Sequence, residues 1–328
     1  MDWLRSGSGA FRRRLVSAFP ALAGKHPQLG FEIAVLSFDR PDYLTEVLES
    51  LRKQVSDDVR ITLFQDGHID PFTGKAVASP ENTRACASIF RRLFPAGEIV
   101  SSPENLGIAL NYERAEKRVF LKHGSEACLF LEDDLVLSPR FVEVTGQLLR
   151  FAKMDPRIAY VSACGNLWAD NEQQRLHSRE LIPMHENWGA AMTRISWLAE
   201  REFRQSYLEL IGGHSYKNRD HEKITSFYAS RGWICKFTSQ DSARWIACLE
   251  RNAIRLSTFA CHARYIGEQG VHFTPEIYEK GGFAKTVMYE GSLPELTPPD
   301  DEWIENCLSA ERDRFSGKGN GFYVSHGS

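Results

Sequence analysis

The sequence predicts an α/β protein with a mostly parallel sheet, helices on both of its faces, and a smaller mixed half after it. Three observations predict this. Between residues 31 and 162, apolar runs of strand length alternate with helical patterns, joined by short connections. Polar clusters stand directly after the strands, where open parallel sheets bind their ligands. Beyond about residue 165 the alternation gives way to irregular polar stretches and shorter apolar pieces.

The elements follow in order. Phe31 to Ser37 is a short apolar run that reads as a buried strand. Pro41 stands where a helix begins, and Tyr43, Leu44, Val47, Leu48 and Leu51 follow at helical spacing. Val59 to Phe64 is a second strand, and the Asp-, Gly- and Pro-rich stretch 66–80 is a loop. Thr83 to Leu93 is helical and Glu98 to Ser101 is a third strand. Asn105 to Lys122 carries a long helical pattern, with Asn105 a good helix cap. Cys128 to Leu131 is a fourth strand, Pro139 to Ala152 a helix, and Ile158 to Ser162 another strand. The stretch 165–187 is irregular and polar. Trp188 to Thr193 reads as a short strand or turn, Ile195 to Leu208 and Asp220 to Arg231 as helices, and Trp233 to Thr238 as strand-like. Ile254 to Cys261 is β-prone. From Gly281 onward the chain is Gly-, Pro- and acid-rich, and 316–328 is expected to be mobile.

Composition bounds the function. The chain has 328 residues, 42% of them hydrophobic and 25% charged, which excludes disorder and fibrous repeats and fits one large domain or two coupled halves. The expected divisions are a basic arm over 1–30, a first half over 31–165, a second over 166–280, and an extension over 281–328. Forty basic against 43 acidic residues leave a net charge of −3, so no nucleic-acid partner is expected. Seven cysteines without a C-x-x-C pair read as reduced core thiols in a reducing compartment. No apolar run is long enough to span a membrane. In the arm, Arg5, Arg12, Arg13, Arg14 and Lys25 face a single acid, Asp2, among Phe11, Leu15, Val16, Phe19 and Leu22. That pattern is a solvated helix or an ordering arm, or else a weak contact with an anionic membrane. The expected location is the cytoplasm, at most against the inner face of a membrane.

Three clusters follow strands: Ser37-Phe-Asp39-Arg40, Gln65-Asp66-Gly67 and Glu132-Asp133-Asp134. The acidic triplet is the sharpest. Its carboxylates repel one another, and successive strand side chains point to opposite faces, so they cannot serve one ligand alike. A divalent cation would offset the repulsion, and Mg2+ or Mn2+ typically takes one or two protein carboxylates plus substrate phosphates and water. The alternative is an acidic turn ahead of Leu135–Leu137. Trp188-Gly189 sets a flat apolar ring beside unhindered backbone, a surface on which a sugar face packs well; a buried Trp beside a tight turn is the plainer reading. Asp220 and Glu222 are candidates for a general base, with an acidic helix N-terminus as the alternative.

The stretch Leu-Phe-Leu-Glu-Asp-Asp-Leu-Val-Leu-Ser-Pro-Arg-Phe, residues 129–141, resembles the metal motif of GT-A-fold glycosyltransferases, most closely the Glu-Asp-Asp version of the N-acetylglucosaminyltransferase I group. Ile33 to Arg40 is similar to that group's first strand and nucleotide loop, Phe64-Gln-Asp-Gly-His68 to the stretch after its second strand, and Gly267 to Phe273 to a late Gly-rich segment ending in His. Trp188-Gly189 also looks like an element of bacterial family-2-like transferases. The resemblance implies a Rossmann-like GT-A fold with a nucleotide-sugar half and an acceptor half, and transfer from a UDP-sugar to a hydroxyl of a glycan or other acceptor, with inversion. It implies that Asp134 ligates Mn2+ or Mg2+, with His272 at the metal or diphosphate. Glu132 and Asp133 would hold the ribose, the metal waters or neighbouring backbone. Ser37, Asp39, Arg40 and Asp66 would contact the nucleotide, with Asp66 taking the uracil imide, and Asn105 would help line the donor site. Asp220 would be the base. Two other readings are a sugar-nucleotide nucleotidyltransferase and a non-catalytic sugar-nucleotide or glycan-binding domain. The first normally carries a Gly-rich phosphate loop after its first strand, and Ser37–Pro41 contains no Gly.

Overall fold

The computed structural model describes residues 29–270 and 273–316. The basic arm before residue 29, His272, and the tail beyond Ser316 lie outside the described residues. The strands are β1 (Glu32–Ser37), β2 (Ile61–Gln65), β3 (Glu98–Ser101), β4 (Ala127–Glu132), β5 (Leu135–Leu137), β6 (Ile158–Ser162), β7 (Leu181–Pro183), β8 (Ala190–Thr193), β9 (Ile254–Thr258) and β10 (Ala263–Tyr265). The helices are α1 (Pro41–Arg52), α2 (Pro80–Leu93), α3 (Gly107–Lys117), α4 (Phe141–Met154), α5 (Asn171–Leu176), α6 (Arg194–Ala199), α7 (Arg201–Ile211), α8 (His221–Ser230), α9 (Gln240–Glu250), α10 (Pro275–Lys280) and α11 (Asp301–Phe315).

Eight strands form one sheet in the order β3-β2-β1-β4-β8-β6-β9-β7. The pairs β1–β2, β1–β4, β2–β3 and β6–β9 are parallel; β8 is antiparallel to both β4 and β6, and β7 to β9. The carboxyl ends of β1, β2, β4, β6 and β9 therefore share one edge of the sheet, together with the start of β8. A two-stranded ribbon sits above that edge, with Tyr265 of β10 opposite Leu135 of β5.

The strand period of two sorts the core. Ile33, Val35, Leu129 and Leu131 pack on one face with Leu44 and Leu48 of α1, Phe90 of α2 and Leu148 of α4. Ala34, Leu36, Cys128 and Phe130 pack on the other with Tyr112 of α3, Phe120 and Trp197. A third cluster joins Phe203 and Tyr207 of α7, Ile224 and Tyr228 of α8, Ile246 of α9 and Phe315. All seven cysteines are unpaired thiols, and six of them are buried. No described helix is long and apolar enough to cross a membrane.

Three local expectations need correction. The segment 233–238 is not a strand: Ile234 and Phe237 are exposed, and the Ile234 N–H goes to the carbonyl of Phe315 at the end of α11 rather than to a neighbouring strand. The helix read from Asn105 starts at Gly107 instead, and Asn105 does not cap it. Helices α9 and α11 stand where no helix was expected.

Candidate functional site

The site is built where β1, β2 and β4 end. Asp133 accepts the Phe38 N–H at 3.2 Å through Oδ2 and pairs with Arg40 Nη2 through Oδ1, so its carboxylate braces the loop after β1. Arg40 Nη2 also reaches Asp134 Oδ2 at 2.8 Å. Asp134 is 4% exposed, and its Oδ1 has no hydrogen-bond partner among the described residues. Glu132 accepts the Tyr112 hydroxyl at 3.2 Å. As expected of strand alternation, the three carboxylates have three different sets of partners.

Burial pushes Asp134 up to about 6; Arg40 opposes this and Asp133 adds to it. Burial also pushes Glu132 well above the usual carboxylate range, helped by the charges of Asp134, Asp241 and Asp133. Asp39 is raised by burial and then by Asp133. In all three, burial is the larger cause and the neighbouring acids add to it.

The loop after β10 covers the triplet. The Ile266 N–H donates to the Asp134 carbonyl at 2.9 Å. A Cβ on residue 267 would lie 2.6 Å from Asp134 Oδ2 and 2.4 Å from Tyr265 Oη, so a larger residue here would displace one of those side chains. A divalent cation suits these residues. The acids exceed the cations, one buried carboxylate oxygen lacks a partner, and Mg2+ or Mn2+ needs few protein ligands when phosphates and water supply the rest.

Asp66 is built into the start of the next helix. Its Oδ1 accepts the N–H groups of Gly67 at 2.9 Å and Leu106 at 2.8 Å, and its Oδ2 accepts Gly107 N–H at 3.0 Å and Asn105 Nδ2 at 3.2 Å. A carboxylate has about four lone-pair sites, and all of these are taken. Asp66 is thus the cap of α3, supplied from the neighbouring loop, and Asn105 ties that loop together by donating to Gly67 O at 3.1 Å. Asp66→Ala would leave buried donors unpaired at about 1–3 kcal/mol each. The expected loss is about 3 kcal/mol or more of unfolding free energy, measured by urea denaturation.

Ser37 is buried at the end of β1. Trp188 lies between β6 and β4, just ahead of β8. Its ring stacks on Tyr265, centroids 4.2 Å apart at 11°, with Phe283 edge-on at 5.6 Å, and its carbonyl accepts Ser162 Oγ at 2.8 Å. Gly189 has φ +57°, and a Cβ there would meet Phe141 at 2.7 Å and Leu135 at 2.8 Å. The Trp-Gly element is thus locked in place beside the triplet through Tyr265 and Leu135.

Asp220 caps α8. Its side chain accepts the Lys223 N–H at 3.0 Å and pairs with Lys223 Nζ at 3.3 Å, and that N–H holds the carboxyl below its usual range. Glu222 is exposed in the first turn of the same helix. Neither shares a described hydrogen bond or ion pair with the triplet. Asp241 does lie beside it electrically, since it is one of the charges that raise Glu132. It sits in the first turn of α9, where Asn187 Nδ2 donates to its Oδ1 at 3.0 Å and Gln240 Nε2 at 2.6 Å. Glu186 is exposed at the surface, and its carboxyl is raised by the crowding of neighbouring protein groups and then by the charge of Asp241, with Arg255 opposing. Glu186 lines a cleft with Trp168, His185, Met184, Cys164 and Ser257. The sequence held one signal for Asp241: Ser239 as a cap, followed by Ala243, Ile246, Ala247 and Leu249 at helical spacing.

No family model matches the chain, and no curated protein matches it. Among solved structures it is similar to S. aureus TarS 1–349, with 12% identity and a TM-score of 0.42 over 90% of this chain and 75% of that one. The same fragment in complex with UDP gives 12% and 0.40, over 71% and 59%. GalNAc-T7 with UDP, GalNAc and Mn2+ gives 9% and 0.45, over 74% of this chain and 45% of that one.

Proposed function

We propose that this protein is a metal-dependent glycosyltransferase that moves a sugar from a nucleotide-sugar, a UDP-sugar by preference, to a hydroxyl of a glycan or other acceptor. The observation that carries the reading is Asp134. It is a buried carboxylate at the carboxyl end of β4, with one oxygen unpartnered among the described residues, set among acids and against Gly267 of the loop after β10. The likeness of residues 129–141 to a Glu-Asp-Asp metal motif supports it.

Asp134 would hold Mn2+ or Mg2+, which when bound neutralises the diphosphate that departs. Ser37, Asp39 and Arg40, at the end of β1, would contact the nucleotide, with Arg40 the group suited to its phosphates. Trp188, fixed by Tyr265, offers an apolar surface for the sugar. Asp241 takes the proton of the acceptor hydroxyl at its carboxylate. The charge of Asp241 reaches both Glu132 and Glu186, and Glu186 lines the cleft of Trp168, which would be the acceptor's side. The transfer would then be a single displacement with inversion.

A panel of UDP-, GDP- and dTDP-sugars with Mn2+, scored by hydrolysis and thermal shift, tests the reading. The expected result is slow hydrolysis of one or more UDP-sugars, abolished by EDTA. Stabilisation without any hydrolysis would mean a binding domain, and no response to any nucleotide would end the assignment.

A further inference from the structure

Arg40 stands where the reading above needs a metal. Its Nη2 bridges Asp133 Oδ1 and Asp134 Oδ2. Its Nη1 points the other way, toward the carbonyl of Gln269 at 3.5 Å, and a Cβ on Gly270 would lie 3.4 Å from it. One guanidinium thus ties the end of β1 to the acidic triplet and to the loop that covers it. Its side chain is 25% exposed and lies beside the Tyr43 ring, 5.4 Å from the centroid, so it has a route outward.

The charges make this arrangement a competition. Asp134 Oδ2 accepts Arg40 while Oδ1 waits without a partner. A hydrated divalent ion entering here must share Asp134 with a resident cation about an ångström-scale contact away, and like charges repel most where water is excluded. A nucleotide diphosphate changes the balance, because its oxygens accept a planar, forked guanidinium well.

We propose that Arg40 is a resident counter-cation that keeps the metal site closed until the nucleotide arrives. The diphosphate draws the guanidinium off Asp134, and the freed carboxylate then takes the metal. Metal binding is therefore conditional on the nucleotide, and Arg40 is the residue that imposes the condition. This rests on the reading of Asp134 as a metal ligand.

The test is binding, not turnover. Free Mn2+ is measured by electron paramagnetic resonance while the native chain, Arg40→Gln and Arg40→Lys are titrated, with and without UDP. The native chain should bind Mn2+ at least tenfold more tightly with UDP than without. Arg40→Gln should gain at least tenfold in Mn2+ affinity without UDP, and Arg40→Lys, which keeps the charge, should not. A melting-temperature series covers the chance that Arg40→Gln folds poorly: its loss of stability should be restored by Mn2+ alone, while the native chain without UDP should show no such shift. Equal or weaker Mn2+ binding by Arg40→Gln without UDP, and no rescue of its melting temperature, overturns the role of Arg40. Absence of Mn2+ binding by the native chain even with UDP overturns the metal reading itself.

Discussion

Asp241→Asn should lower the rate of transfer by about 10²–10⁴-fold, the usual contribution of a positioned base. The amide keeps the shape of the side chain, and binding of UDP with Mn2+ should stay within a few-fold of native. Asp220→Asn should leave transfer nearly untouched. Its replacement by alanine should lower the melting temperature slightly, because the residue works as a helix cap. Steady-state rates of the three variants, set beside UDP titrations, decide the matter. If Asp220→Asn is the slow variant and Asp241→Asn is not, the base belongs on α8. If neither is slow, the anomeric configuration of the product should be retained rather than inverted, which NMR of the product reads directly.

Asp134→Asn should abolish Mn2+-dependent binding of UDP and lower transfer by at least about a hundredfold, while the free protein becomes more stable at neutral pH. The sign follows from the site. Burial raises Asp134 to about 6, with Arg40 opposing, from an ordinary value of 3.8. A group raised on folding adds stability that is fully present below its unfolded value and is lost as the pH climbs through its folded value. Between about pH 4 and pH 6 the native chain should therefore lose stability that the asparagine variant keeps. Melting curves at pH 4 and pH 7.5 should show the variant ahead by a few degrees at the higher pH and level at the lower. A variant that melts lower at both would mean that the pair with Arg40 outweighs the cost of burial.

Much of the frame was legible because it is local. The apolar runs of β1, β2, β4 and β6 and the cap and spacing of α1 are properties of neighbouring residues. The acids after β4 were legible for the same reason. What failed was of two kinds. The segment 233–238 is rich in apolar residues but has no strand beside it among the described residues, and α11 is so polar that only Ile304, Leu308 and Phe315 are buried along it. The surroundings of Asp66 and Asp241 are set by residues far along the chain. Nothing near Asp66 in sequence says that the start of α3 will come to it, and nothing near Asp241 says that Glu132 will lie beside it.

The strand order has a consequence for how the chain is made. β4 and β6 are consecutive long strands, yet they do not touch: β8 lies between them, and β6 has only β8 and β9 as neighbours. On a ribosome the first four strands can assemble as they emerge, but β6 must wait until residue 193 has been added for one partner and residue 258 for the other. Through that interval the outer edge of β4 is bare and β6 is an unpaired apolar strand, which invites pairing between nascent chains. A fragment cut at residue 165 would be frozen at that stage. It should come out of expression as aggregate, whereas a chain carried past β9 should come out soluble.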